Sequence, residues 1–374
     1  MSTLSKVNII SADSHVVEPP NLWIERADKR YRDLAPRVYW DEKREGWFFG
    51  GEGILPCLVP GMFAAGKRKD ELGAHYRAGY QAAPAGITDP AARKGEMERD
   101  HVKVEVLYTS LGFSLFWIDE ADFQEDCFRV YNDWLAEYVC YDQSRFVGLG
   151  LISLWNVKKA VKELHRCRKI GLKGAMIWAS PPENALFNST AYDPFWAAAQ
   201  ELEMPVSLHI LTGRGGESKE FFIQTMDRCI WRMMVSNEIQ RSLATIIFSG
   251  VLERFPNLQL VAAENDIGWA AYFLYLADLA FNRYGESGPT KLSVSPSEYF
   301  QRQISATFIR DPVGLLTVKR LGSERFMWSN DYPHQSSTWP ESLDAIATDF
   351  TDLSEEDKKN ILGDNCAKLY GIQV

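Results

Sequence analysis

The stretch FVGLGLISLWNVKKAVKELHRCRKIGLKGAMIWA (146–179) decides the fold. Its first run, FVGLGLI (146–152), is apolar at successive positions, so a strand made from it buries both faces, as in a parallel sheet covered on both sides. VKKAVKELHRCRKI (157–170) then repeats with helical period, placing Val157, Ala160, Val161, Leu164 and Cys167 on one face before Gly171 stops it. LKGAMIWA (172–179) is apolar again, completing a strand–helix–strand unit of the parallel kind.

Six more such runs lie outward from this unit: VNIISAD (7–13), VEVLYTS (104–110), PVSLHI (205–210), LQLVAAE (258–264), RQISATFI (302–309) and RFMWSND (325–331). Eight buried strands alternating with helices predict an α/β fold, a parallel (β/α)8 TIM-like barrel. The rival, an open doubly wound sheet, lacks the G-x-G-x-x-G turn expected after its first strand. Asp193-Pro194 reads as an N-cap with proline at the first helical position, and Ser354 with Asp357 as a capping box opening a terminal helix that runs to Gly371. Residues 33–95 break the pattern with glycines, prolines and the hairpin-like WFFGGEGIL (47–55). An insertion after the first strand lies over the C-terminal mouth of the barrel, so 33–95 is expected to be a lid or an oligomer contact within a single domain spanning 1–374.

The chain of 374 residues is 46% hydrophobic and 24% charged, the balance of a globular protein, which excludes disorder. Forty-one basic against fifty acidic residues leave a net charge of -9, which argues against nucleic acid or an anionic membrane as partner. Six scattered cysteines without a C-x-x-C pair read as reduced thiols. No apolar run reaches signal-peptide or membrane-span length, so a cytoplasmic protein with a small-molecule substrate is expected. A homo-oligomer, most simply a dimer, follows from symmetry preference alone.

Residues two apart on a strand face the same way, so Asp13 and His15 project together from the first strand tip. His209 ends the fifth run, Glu264 the sixth and Asp331 the eighth. Metal-competent side chains thus sit at four different strand ends, on the face where barrel enzymes do chemistry. Glu264 has three readings: a general base, a ligand to a second metal, or a structural carboxylate paired with Arg99 or Arg310. Asp266 lies on the same face and is its possible substitute, whereas Lys173 opens the fourth strand at the wrong end for a bridging role. His334, in the loop after the eighth strand, is a candidate substrate contact; Trp178, Trp269, Phe308 and Tyr332 are pocket walls or barrel packing. His75 reaches the site only if the insertion folds over it, and His101 and His165 sit on expected helices as surface or packing residues. Neither G-x-S-x-G nor a P-loop motif occurs.

Asp13-Ser14-His15 with Glu18-Pro19, the strand-end His209, RFPNLQLVAAENDIGW (254–269), MWSNDYPH (327–334) and ILGDNCAKLYGI (361–372) together resemble the amidohydrolase superfamily, in the branch of aminocarboxymuconate semialdehyde and γ-resorcylate decarboxylases. The resemblance implies a distorted barrel with a catalytic divalent metal: Asp13 and His15 at the first-strand ligand positions, His209 at the fifth-strand position, and Asp331 as the eighth-strand aspartate that holds metal and handles a proton. Asp13 in place of histidine hardens the site, admitting manganese, iron or magnesium beside zinc, as one ion or, with Glu264 as a ligand, two. The decarboxylases of this branch have a histidine on the sixth strand where this chain has Glu264.

That departure ranks a hydrolase of an ester, thioester, lactone or amide first. There the metal activates a water, Asp331 takes its proton and passes it to the leaving group, and Glu264 assists. The alternative is a metal-dependent non-oxidative decarboxylase of an aromatic or unsaturated carboxylic acid. A barrel that has lost catalysis and serves as a binding subunit is the third reading.

Overall fold

Each of the eight apolar runs forms a strand in the computed structural model, which describes residues 7–215, 218–219, 221, 227–288 and 290–373. The strands are β1 (Ile10–His15), β2 (Arg37–Asp41), β3 (Gly46–Gly51), β4 (Ile54–Leu58), β5 (Val104–Tyr108), β6 (Phe146–Leu151), β7 (Gly174–Ile177), β8 (Val206–His209), β9 (Leu260–Ala263), β10 (Ile304–Phe308) and β11 (Phe326–Trp328). Strands β1 and β5 to β11 form one eight-stranded sheet in the order β1-β5-β6-β7-β8-β9-β10-β11, and its ladders are parallel. The two ends of the sheet meet through Asp331 N–H donating to the Asp13 carbonyl at 3.0 Å and His15 N–H donating to the Tyr332 carbonyl at 2.7 Å. This closes a TIM-like barrel and excludes the open sheet.

The barrel strands are buried along their whole length, as their continuous apolar runs require. Helix Val157–Lys169 covers the sheet with Ala160, Leu164 and Cys167 buried, and its cap, Asn156, accepts from Lys159 N–H. Asp193 is the first residue of helix Asp193–Glu201 rather than its cap, because its carboxylate is turned to Arg254 at 2.8 Å. The terminal segment is helical from Glu355 to Tyr370, and Ser354 caps it. It includes one wide turn, Asn360–Asp364, where Gly363 passes so close to the Asn8 carbonyl that a Cβ would stand 2.4 Å from it.

The insertion builds a separate antiparallel sheet, β2-β3-β4, with Glu52-Gly53 as the tight turn of the β3–β4 hairpin. It sits against the C-terminal mouth: Tyr80 donates its hydroxyl to the Glu18 carbonyl at 2.6 Å, and Ala65 N–H reaches the Pro333 carbonyl at 3.0 Å. None of the described helices is long and apolar enough to cross a membrane. The six cysteines are free.

Candidate metal centre

The tips of β1, β8 and β9 and the turn after β11 bring Asp13, His15, His209, Glu264 and Asp331 together at the C-terminal end of the barrel. His15 Nε2 lies 3.3 Å from both Asp13 Oδ1 and Asp331 Oδ1, and His209 Nε2 lies 3.5 Å from Asp13 Oδ1 and from Glu264 Oε2. Asp13, His15, His209 and Asp331 are inaccessible to solvent.

Among the described residues, Asp13 Oδ1, His15 Nε2, His209 Nε2 and Asp331 Oδ1 are among the buried polar atoms with no hydrogen-bond partner. Leaving such atoms unpaired in a core is costly, and buried polar groups are paired or hold a metal. Atoms bound about 2.0–2.1 Å from one ion in a tetrahedral shell stand about 3.4 Å apart, close to the His15–Asp13, His15–Asp331 and His209–Asp13 separations; Asp13, His15 and His209 form one group of mutually near donor atoms and His15, Glu264, Asp331 and His334 a second, with His15 in both. The donor set therefore fits a divalent ion. The remaining atoms of the same side chains are tied down. His15 Nδ1 bonds the Thr109 carbonyl at 2.7 Å and His209 Nδ1 the Ile210 carbonyl at 2.8 Å, which turns each Nε2 toward the shared point. Thr307 donates its hydroxyl to Asp13 Oδ2 at 3.1 Å, and Ser336 donates to Asp331 Oδ2.

The backbone is strained where these groups sit. Glu264 and Asp331 have φ of 52° and 54°, a left-handed conformation that side-chain-bearing residues rarely adopt and that clusters at functional sites. Glu264 is held there by its N–H donating to Thr307 Oγ1 at 2.8 Å.

Electrostatics separate the carboxylates. Burial pushes the Asp331 carboxyl up, but His334 and His15 outweigh it and hold the group well below the usual carboxylate range. Asp13 is likewise lowered, with His209 and His15 overcoming burial. Glu264 goes the other way: burial, then repulsion from Asp331 and Asp13, pushes it well above the ordinary value. Neighbouring carboxylates with opposed shifts are an arrangement for separate base and acid roles.

His334 joins the cluster, with Nδ1 3.0 Å from Asp331 Oδ1, Nε2 2.9 Å from Ser110 Oγ and its ring stacked on His15 at 3.9 Å. Above it opens a cavity of about 450 Å³ whose lining includes Met62, Tyr76, Trp231, Glu264, Ile309 and His334. Part of that wall comes from the insertion.

The other candidates lie elsewhere. Trp178 packs edge-on to Trp155 beside a different cavity, Phe308 stacks on Phe350, and Trp269 donates to the Asn265 and Asp266 carbonyls. Tyr332 lies beneath the Arg93 guanidinium, and His75 bonds the Pro60 carbonyl inside the insertion. His101 and His165 are exposed. Asp266 pairs with Arg232 at 2.7 Å. Arg310 pairs with Asp349 and Arg99 stacks on Trp339, so neither supplies a structural partner for Glu264. Thr307, Ser336 and Ser110 were missed by the sequence reading; among them only Thr307, on an apolar run at an inward position, carries a signal that could have marked it.

The amidohydrolase family model matches residues 23–372. Over 288 residues the chain is 25% identical to 2-amino-3-carboxymuconate-6-semialdehyde decarboxylase of Dictyostelium discoideum, covering 76% of this chain and 77% of the relative. An amidohydrolase from Mycobacterium avium subsp. paratuberculosis superposes with a TM-score of 0.78 at 19% identity, over 98% of this chain and 100% of the other. Dihydroxybenzoic acid decarboxylase from Polaromonas sp., solved with bound manganese and the inhibitor 2-nitroresorcinol, superposes with a TM-score of 0.66 at 18% identity, over 98% and 97%.

The relatives named for a reaction are decarboxylases, and this overturns the hydrolase expectation. That expectation rested on Glu264 replacing a sixth-strand histidine. The replacement does not by itself separate the two chemistries: in the metal-free protein, burial and then repulsion from Asp331 and Asp13 favour the protonated form of Glu264, and a protonated carboxyl is a proton donor. The match runs from the first helix after β1 to the last helix of the chain, and this chain belongs to the amidohydrolase family.

Proposed function

We propose that this chain is a metal-dependent, non-oxidative decarboxylase of an aromatic or unsaturated carboxylic acid. The observation that carries the reading is the convergence of four unpartnered buried atoms, on Asp13, His15, His209 and Asp331, beneath an apolar cavity. The decarboxylase relatives support the reaction class.

Those four residues would hold one divalent ion, with manganese first and iron or zinc as alternatives. Bound there, the ion supplies Lewis acidity to grip a carboxylate and a neighbouring oxygen. Met62, Trp231 and Ile309 pack the apolar part of the substrate, and His334 contacts it from the cluster side. Arg228 and Arg232 line the same cavity; Arg232 is shared with Asp266, while Arg228 has no ion pair among the described residues, so the entrance favours an anion.

Glu264 faces the cavity with 17% of its side chain exposed, whereas Asp331 is buried below it. Glu264 is the acid: its proton goes to the carbon that bears the carboxylate. The carbon–carboxyl bond then breaks, its electron pair returns to the unsaturated system, and carbon dioxide leaves. Glu264 is reprotonated from solvent. Asp331, kept ionised by His334 and His15, stays a ligand and orders the proton-bearing groups around it.

The insertion is the lid of this cavity, since Met62 and Tyr76 form part of its wall. The protein works as a cytoplasmic homodimer; Tyr272, Tyr275, Leu276 and Leu279 stripe the exposed side of helix Ala270–Tyr284 beside Val313 and Leu316, an apolar face suited to a second copy.

The experiment is carbon dioxide release from a panel of hydroxybenzoates and unsaturated acids by manganese-loaded protein, run in deuterium oxide. The reading expects release with one deuterium at the vacated carbon. Turnover of no acid in the panel, together with cleavage of aryl esters, would overturn it.

A further inference from the structure

Arg93 is fully buried and no part of it enters the cavity. It lies on helix Pro90–Arg99, which closes the insertion and is capped by Asp89. Its Nε donates to Glu105 Oε2 on β5 at 2.7 Å. Its other nitrogens leave the carboxylate alone: Nη1 donates to the His15 carbonyl at 2.9 Å and Nη2 to the Tyr332 carbonyl at 3.3 Å. The Tyr332 ring lies under the guanidinium, 4.4 Å away.

A buried arginine that served only to neutralise Glu105 would turn its fork to the carboxylate. Here the fork is spent on the two chain segments that carry His15 and Asp331, at the seam where the barrel closes. The Tyr332 carbonyl already receives His15 N–H at 2.7 Å, so Arg93 reinforces a junction that fixes both ligands at once. Asp331 needs such reinforcement, because its left-handed backbone persists only where surrounding contacts over-determine it.

We propose that Arg93 is a positioning residue: docked with the insertion, it clamps the β1 tip to the turn after β11 and thereby presets His15 and Asp331 for the metal. The inference rests on the metal centre of the proposed function. It makes the insertion a structural part of that centre as well as a wall of the cavity. Lysine cannot replace the fork, since one ammonium cannot span a carboxylate and two carbonyls set by a planar guanidinium.

The test is the metal dissociation constant of purified Arg93→Lys, measured by competition with a chromophoric chelator, beside the thermal midpoint of the metal-free protein. Arg93→Lys keeps a cation for Glu105, and the double variant Arg93→Met/Glu105→Gln removes both charges should the single variant fold poorly. Leu164→Ala, far from the seam, serves as a control for general destabilisation. The clamp predicts manganese binding weakened about 10–100-fold in either Arg93 variant, the range of loss on removing a group that orients metal ligands, with kcat recovered at saturating metal and no such weakening in Leu164→Ala. Binding within twofold of wild type in both Arg93 variants overturns the proposal. Wild-type protein that binds no metal overturns the metal-centre reading instead, so the two failures are distinct.

Discussion

Thr307→Val removes one oxygen from the site and almost no volume. That oxygen joins two groups: it donates to Asp13 Oδ2 at 3.1 Å and accepts from Glu264 N–H at 2.8 Å. In the metal-free protein, the unpaired Glu264 N–H costs about 1–3 kcal/mol. Part of that returns if Glu264 relaxes from its left-handed backbone, worth about 1–3 kcal/mol of strain when held. A net loss of about 1–2 kcal/mol is therefore expected in urea unfolding of chelated protein. The larger effect is on metal binding: with Asp13 no longer held from behind, affinity falls about 10–100-fold. Thr307→Ser keeps the hydroxyl and restores most of it. Chelator competition and urea titration on the three proteins provide the assay. Thr307→Val with wild-type stability and metal affinity within twofold would refute the argument that Thr307 holds the ligand shell.

Glu264→Gln retains the shape of the acid but not its proton, so kcat falls about 100-fold or more while metal content stays unchanged; unaltered turnover removes Glu264 from the mechanism. In the chelated protein burial opposes the charge on His15, but the Asp13 and Asp331 carboxylates 3.3 Å from its Nε2 outweigh it and push the imidazole up to about 10. Because that lies above the unfolded value of about 6.5, the stabilisation is complete below it and is lost as the pH rises toward about 10. A metal must displace this proton, so apparent affinity rises about tenfold per pH unit through the same window; a flat profile would contradict the assignment of His15. Trp178→Phe lies off the cavity and leaves KM within about twofold, whereas Met62→Trp, inside it, raises KM at least tenfold, since an indole takes ring-sized space in the pocket.

The barrel was legible because strands buried on both faces become apolar runs: seven of the eight runs contain a whole barrel strand, and the first covers β1 as far as Asp13. The ligand residues were legible for the complementary reason: Asp13, His15, His209 and Asp331 are polar residues ending or following apolar strands, where nothing about packing calls for them. Position at a strand end does not say which way a side chain turns, however. Trp178 and Phe308 share the strand-end position of the ligands, and Trp269 follows β9 by six residues, but all three pack outside the cavity. The supports were harder still to read. Arg93 sits in the polar helix PAARKGEMER, where an arginine ordinarily meets solvent, and only the docking of that helix on the barrel buries it. Ranking hydrolysis first treated Glu264 as a lost histidine, when its surroundings preserve the capacity to give a proton.

The most direct test of the central claim is elemental analysis of the folded protein purified without chelator, wild type beside His209→Ala. His209 is buried, and its free nitrogen is one of the four that converge. The account predicts about one divalent ion per wild-type chain and less than about a tenth of that in a folded His209→Ala, with carbon dioxide release lost in parallel. A His209→Ala protein that keeps its full metal content would contradict it.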